Sequence, residues 1–266
     1  MPLPTPFRAQ GFAIFLLVAL AFPAPGQVAT NRAFAARAEK EFFRAQKEFT
    51  AHPGDAIVAW QFGRASFDHA EFATNETQRA ALAQTGIAAC RQSLAHAPKS
   101  APAHYYLAMN FGQLAEAEAP SIAAYKLVKE IEHEFKAATE LDEKFDFAGP
   151  PRCLGLLYRD APGWPISIGS KHKAREFLDR AVVLAPDYPE NQLNLAESHV
   201  RWHQPAEAEK ALKKLDALWP AAQTNLVGDV WAKSWDDWAV RRAAVKVEFQ
   251  KIFKRAPDNG KFSFVQ

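Results

Sequence analysis

Apolar residues, large and small, recur along this chain at helical spacing, and prolines punctuate the recurrence. Pro53, Pro98, Pro186 and Pro220 each close such a run, and Glu143, in Glu140-Leu141-Asp142-Glu143, takes the same place between Pro98 and Pro186. Successive markers lie 45, 45, 43 and 34 residues apart. Each interval has room for two antiparallel helices. Twelve, eight and five residues before Pro220 stand Ala208, Leu212 and Leu215, and the same offsets before Pro186 hold Ala174, Leu178 and Ala181. Before Pro98 they hold Gly86, Cys90 and Ser93, and before Glu143 they hold Ile131, Phe135 and Ala138. Small or apolar residues at fixed offsets are what close helix packing requires.

The first helix of each interval repeats a second signal. Phe62-Gly63, Leu107-Ala108, Leu154-Gly155 and Leu195-Ala196 each place a large apolar residue before a small one, which lets a neighbouring helix approach. Phe111, Tyr158 and His199 follow three residues after the small one in three of the four; Ser66 is the exception. In these positions the sequence resembles the tetratricopeptide repeat (TPR) family over residues 56–222. The resemblance implies an all-α fold, a TPR-type α-solenoid of antiparallel helix pairs with capping helices. Four units are expected, at 56–100, 101–145, 146–188 and 189–222. Each should contact mainly its neighbours, so that the chain forms one elongated array.

Departures from the shortest period predict local features. The first two units carry 11 extra residues, about three helical turns, so their second helices should be long. Asn75 and Gln78 form a helix-start pattern in the first, and Pro120-Ser121 opens a run to Leu141 in the second. The third unit gains Asp160 to Gly169, whose prolines and glycines forbid regular helix and predict an ordered loop. Ala33 to Ala51 reads as an N-terminal capping helix within 27–55. Trp231, Trp235, Trp238, Val245, Phe249 and Ile252 share one helical face, which predicts a capping helix within 223–266.

The first 26 residues follow a different logic. Arg8, an apolar run from Phe12 to Phe22 and small residues at Ala24 and Gly26 have the order of a cleavable secretory signal peptide. The run is shorter than the roughly 20 residues a membrane span needs. A periplasmic or secreted protein is therefore expected, with no stable membrane span after cleavage. Export permits a disulfide, but Cys90 and Cys153 both fall in helical apolar patterns and read as two buried thiols.

With 32 Lys and Arg against 30 Asp and Glu, the chain carries a formal +2, too little for a binder of nucleic acid. Chemistry finds no constellation. His199 and His203 have the spacing of two metal ligands on a helix, yet Val200 stands where a catalytic Glu would follow the first His. Gly169-Ser170-Lys171 reverses the order of a phosphate loop, although Ser170, Lys171 and Lys173 at a helix start can hold an anion. No catalytic residue, metal site or cofactor is expected, and the chain reads as a non-enzymatic protein-binding scaffold.

The TPR resemblance implies a concave face lined by first-helix side chains. In register these are Trp60, Arg64 and Asp68; Tyr105 and Met109; Arg152, Leu156 and Arg159; Leu193, Glu197 and Arg201. Four arginines among them suit a carboxylate, which a guanidinium grips through a planar fork of donors. A protein partner bound at this face is the expected function. A narrower resemblance runs from about residue 100 to 205. Ala148-Gly149-Pro150-Pro151-Arg152-Cys153-Leu154-Gly155-Leu156-Leu157-Tyr158, then Ala161-Pro162-Gly163-Trp164-Pro165 and Ile168-Gly169, look like the T-component of TRAP transporters. That alternative implies an accessory protein contacting a periplasmic solute-binding protein or a small carboxylate ligand. Members are often lipid-anchored through a cysteine after the signal, and this sequence has none there.

Overall fold

The computed structural model describes residues 25–254, and the side chains of 31–253. The expected signal peptide therefore lies almost wholly outside the described residues, as does the end of the tail. Among the described residues the elements are helices: α1 (Pro25–Ala51), α2 (Ala56–Ala70), α3 (Glu76–His96), α4 (Ala101–Ala117), α5 (Ile122–Leu141), α6 (Phe145–Asp160), α7 (Lys171–Leu184), α8 (Pro189–Arg201), α9 (Pro205–Asn225) and α10 (Asp229–Phe249), with a π-helical segment over Gln250–Lys254. None of them is long and apolar enough to cross a membrane. They group into two compact units, one ending at Ala185 and the other beginning at Pro186, close to the boundary expected between the third and fourth repeats.

In the first unit, α1 lays a stripe of Phe42, Ala45 and Phe49 on the first helix pair. Phe42 and Phe49 meet the ring of Phe62 at 5.4 and 5.1 Å, which covers the end of the stack. The chain turns at Pro53-Gly54, and Asp55 caps α2 by accepting from the amides of Ile57 and Val58 at 2.7 and 3.2 Å. The pairs α2/α3, α4/α5 and α6/α7 follow, each antiparallel. Asn75 Oδ1 accepts from the Gln78 amide at 2.9 Å, and Gln78 Oε1 accepts from the Thr74 amide at 2.8 Å, a reciprocal cap displaced by one residue from the usual box. Ser121 caps α5 through the Ala124 amide at 3.1 Å. The expected long second helices are α3, with 21 residues, and α5, with 20.

The repeat offsets acquire a physical meaning inside the pairs. A Cβ at Gly63 would stand 2.2 Å from Cys90 Sγ, and one at Gly155 would stand 2.7 Å from Leu178 Cγ. Each glycine is the small residue of its first helix, and each partner lies eight positions before the closing proline. The two sequence signals are thus opposite sides of one contact. Antiparallel pairs, two of them locked in this way, make the described residues an all-α, TPR-type architecture, as expected.

The loop over Asp160–Gly169 is ordered by backbone bonds. Gly169 donates to the Pro162 carbonyl at 2.8 Å, Ile166 to that of Gly163 at 3.0 Å, and Ser170 to that of Tyr158 at 2.9 Å.

The second unit holds the pair α8/α9 and the cap α10. Trp231, Trp238, Val245 and Phe249 of α10 are buried, and Tyr188 packs edge-on against Trp238 at 5.3 Å. Pro220 departs from expectation: it does not end α9, which runs on to Asn225. A proline in a helix interior removes one backbone bond and costs about 3 kcal/mol. Burial of Trp219 and Ala222 on either side holds the extra turn in place.

Candidate functional site

The third repeat opens with an unusual turn. Asp146, Phe147 and Ala148 take left-handed backbone angles, with φ of 52°, 55° and 63°, before Gly149-Pro150-Pro151 starts the right-handed part of α6. Each such residue costs about 1–2 kcal/mol, and consecutive ones are rare. Prolines suit a first turn because its amides lack intrahelical partners. Arg152, one turn into the helix, reaches back. Its Nη1 donates to the Phe147 carbonyl at 3.1 Å and to the Asp146 carbonyl at 3.4 Å, while Nη2 lies 3.3 Å from Asp146 Oδ2. Both side chains of this ion pair are buried, Arg152 completely.

Side chains from α4 and α2 close around the turn. The Tyr105 hydroxyl donates to Asp146 Oδ2 at 3.3 Å and lies 3.6 Å from Cys153 Sγ, which in turn is 3.9 Å from Met109 Sδ. Phe145 packs edge-on against Tyr105 at 5.5 Å and Tyr106 at 6.2 Å. Trp60 stacks on Tyr106 with ring centroids 5.8 Å apart and planes 4° from parallel. The Arg64 guanidinium sits 5.8 Å from the Tyr106 ring centroid and pairs with Asp68 at 3.5 Å. Burial opposes charge on Arg64, but Tyr106, Asp68 and Asp146 outweigh it and hold the group above its ordinary range. Burial likewise pushes the Tyr105 and Tyr106 phenols up, so both stay protonated.

The first-helix residues named from sequence therefore divide by depth. Trp60, Arg64 and Asp68 are partly exposed and adjoin one another through Tyr106. Tyr105, Met109, Arg152 and Leu156 lie in the interior of the first unit, and Leu193 in that of the second. Arg159 forms a two-pronged bond with its neighbour Asp160 at 2.9 and 2.8 Å. Glu197 is held by Arg241 of α10, at 2.8 and 2.7 Å. Arg241 also donates to Glu190 at 3.3 Å and to Asn194, so α10 fastens itself to α8 through one guanidinium. Arg201 is exposed at the end of α8. Tyr106 and Asp146 were not singled out from the sequence. The doubled tyrosine and the helix-incompatible Gly-Pro-Pro were their only local signals.

The remaining candidates are placed as follows. Ser170 caps α7 by accepting from the Lys173 amide at 3.3 Å, and Lys173 Nζ stands 5.0 Å above the Tyr158 ring; Lys171 is exposed beside them. His199 faces Gln204 Oε1 at 2.8 Å, while His203 lies beyond the end of α8 with φ of 55°, so the two do not share a helical face. Cys90 and Cys153 are buried free thiols on α3 and α6. In the second unit, a cavity of about 440 Å³ opens between α9 and α10, lined in part by Trp219, Trp235, Arg242 and Lys246. Both cations already serve Asp216, Arg242 Nε at 2.9 Å and Lys246 Nζ at 2.7 Å.

The sequence profile of the family described as "Regulator of microtubule dynamics protein 1-3" matches residues 30–148, less than half of the chain. A thermophilic TPR protein in Thermus thermophilus superimposes with a TM-score of 0.60 at 16% identity, over 83% of this chain and 96% of that one. Yeast Tom70 matches with a TM-score of 0.34 at 10% identity, over 89% of this chain and 62% of that one. No curated protein sequence matches the chain.

Proposed function

We propose that this TPR-type chain is an exported, non-enzymatic scaffold that binds a segment of another protein through the first-helix face of its first unit, around Trp60, Arg64 and Asp68. The observation that carries the reading is the layering of that face. Arg152 and Asp146 are spent on building the left-handed turn, and Tyr105 and Tyr106 stand over them. The partly exposed Trp60 and Arg64 rest on this rigid aromatic base. Rigid aromatic and arginine side chains lose little entropy on binding and dominate interface energetics. A carboxylate-bearing segment suits Arg64, with Asp68 as the partner it would displace or share.

The test is capture from the exported fraction, followed by affinity measurement on the purified partner. Trp60→Ala and Arg64→Ala should each weaken binding by about tenfold or more while helicity is unchanged. Full affinity in both variants overturns the assignment of the face. Recovery of a solute-binding protein as the partner would support the transport-accessory reading that residues 148–169 suggest by resemblance.

A further inference from the structure

Three of the four most exposed large apolar side chains described in the first unit gather at one edge, Val183 near the end of α7 being the fourth. Trp164 and Ile166, on the ordered loop between α6 and α7, are 88% and 70% exposed, and Ile122, at the start of α5, is 78% exposed with Tyr125 one turn on. These belong to one edge by topology. Tyr158 of α6 bonds Glu132 of α5 at 2.5 Å; the earlier α4 residue Tyr105 meets Asp146 at the start of α6 and the later Met109 meets Cys153 further along it, so α4 and α6 run parallel within adjacent antiparallel pairs. The turns α4–α5 and α6–α7 therefore emerge on the same side. Neither α5 nor α7 has a carboxylate in its first turn. Exposed Lys171, His172 and Lys173 stand in the first turn of α7, and exposed Lys126 follows that of α5, as Glu176 follows that of α7. Asp160, at the root of the loop, is occupied by Arg159. The α4–α5 turn itself carries Glu116, which pairs with Arg79 at 3.7 Å, and Glu118, while the neighbouring α2–α3 turn carries Glu71 and Glu76, so the lysines concentrate at the starts of α5 and α7.

We infer that this edge is a docking surface for an anionic phospholipid membrane, with Trp164, Ile166 and Ile122 entering the headgroup region and the flanking lysines meeting lipid charge. The shape and the charge together favour a bilayer. Protruding tips on separate turns form no groove and need no matching pocket, whereas a lipid interface yields to them. Tryptophan is the side chain most at home there, with an apolar body and a polar N–H. The backbone bonds that order the loop hold Trp164 outward, so insertion requires no refolding. Each lysine near an anionic surface strengthens attachment about fivefold, an effect that falls off within a Debye length and so weakens with salt. This surface is distinct from the Trp60–Arg64 face, and neither proposal depends on the other.

Flotation of the purified full chain with vesicles tests it, using phosphatidylcholine alone and an equal mixture of phosphatidylcholine and phosphatidylglycerol. Binding should be stronger to the mixture and should weaken with added salt. Trp164→Ala combined with Ile166→Ser, and Lys126→Glu combined with Lys173→Glu, should each lower binding to the mixture about tenfold or more. All four positions are exposed, so circular dichroism should be unchanged. Brominated lipid should quench part of the tryptophan fluorescence, and Trp164→Phe should remove that part, a readout blind to any insertion by the apolar run near the N-terminus. Equal binding to both vesicle types, unaltered binding by the two double variants, or the same quenching in Trp164→Phe would overturn the inference. Absence of vesicle binding would overturn it too and leave the edge as a surface for protein.

Discussion

Arg152 grips Asp146 twice, at the carboxylate by 3.3 Å and at the backbone carbonyl by 3.4 Å, and this bond holds three left-handed residues at the start of the third repeat. It supplies the charged part of what offsets the strain of the turn, beside the Tyr105 hydrogen bond to Asp146 and the packing of Phe145. Removing the guanidinium also leaves a buried carboxylate with a weakened set of partners. Arg152→Ala should therefore lower unfolding stability by about 3–5 kcal/mol, measured by urea denaturation. Arg152→Lys should recover little of this, because one ammonium nitrogen cannot reach the acceptors that Nη1 and Nη2 of the planar guanidinium divide between them. A loss below about 1 kcal/mol in Arg152→Ala would show that the turn stands without its arginine.

The contact between Gly155 and Leu178 gives a second outcome. Alanine favours a helix interior by about 1 kcal/mol over glycine, but here its methyl would lie 2.7 Å from Leu178 Cγ. Overpacking of that kind costs about 1–3 kcal/mol, so Gly155→Ala should be neutral to destabilising in thermal unfolding. Gly54→Ala is the comparison, since a Cβ there meets nothing within 4 Å. A clear gain in stability from Gly155→Ala would mean that the helix pair is loosely packed.

His104 bridges α4 and α5, its Nδ1 lying 2.5 Å from Glu134 Oε2. That hydrogen bond raises the imidazole above its ordinary value of 6.5, against a smaller opposing effect of burial. The folded state therefore binds the proton more tightly than the unfolded chain. The stabilisation is fully present below about pH 6.5 and is lost as pH rises through the higher folded value. Urea midpoints should fall across that window in the wild type, and His104→Gln should flatten the fall. An unchanged pH profile in the variant would remove His104 from the account.

Cys90 should be chemically silent in the folded protein. Its side chain is fully buried and burial pushes its thiol up, so little of the reactive thiolate forms at neutral pH. Ellman's reagent should label Cys90 only on unfolding in guanidinium, as followed in a Cys153→Ser background. Rapid labelling of the native protein would show that the α2/α3 pair opens readily.

In the second unit Arg241 joins α10 to Glu190, Asn194 and Glu197 of α8. Glu190 is almost fully buried, so Arg241→Ala would strand it without its cation. Destabilisation of about 3 kcal/mol is expected. Amide exchange should rise throughout α10, and exchange confined to its last turn would contradict the role assigned to Arg241.

Much of the fold is written in local repetition. Gly63 with Cys90, and Gly155 with Leu178, were visible as recurring offsets because packing of one helix pair is a short-range matter. The capping residues Asn75, Ser121 and Ser170 act on amides three positions away, which makes them legible for the same reason. The stripe on α10 was legible too, since a buried helical face repeats with the helical period. Pro220 misled because a proline's local penalty of about 3 kcal/mol can be outweighed by burial of its neighbours.

The depth of the first-helix residues could not be read in that way. Register places Arg64 and Arg152 at the inner face alike, yet one remains partly exposed while the other disappears beneath Tyr105 and the turn at Asp146. The ion pair between Arg152 and Asp146 spans only six residues, but it exists because the chain reverses handedness there, and although Asp takes the left-handed region on occasion, propensity assigns it to neither Phe nor Ala. The sequence by itself determined the helices, their pairing and the glycine contacts that lock two of the pairs. Tertiary structure decided which arginines are scaffold, and which apolar residues stand clear at an edge. Burial of a side chain depends on neighbours brought from distant turns, and no single helix carries that information.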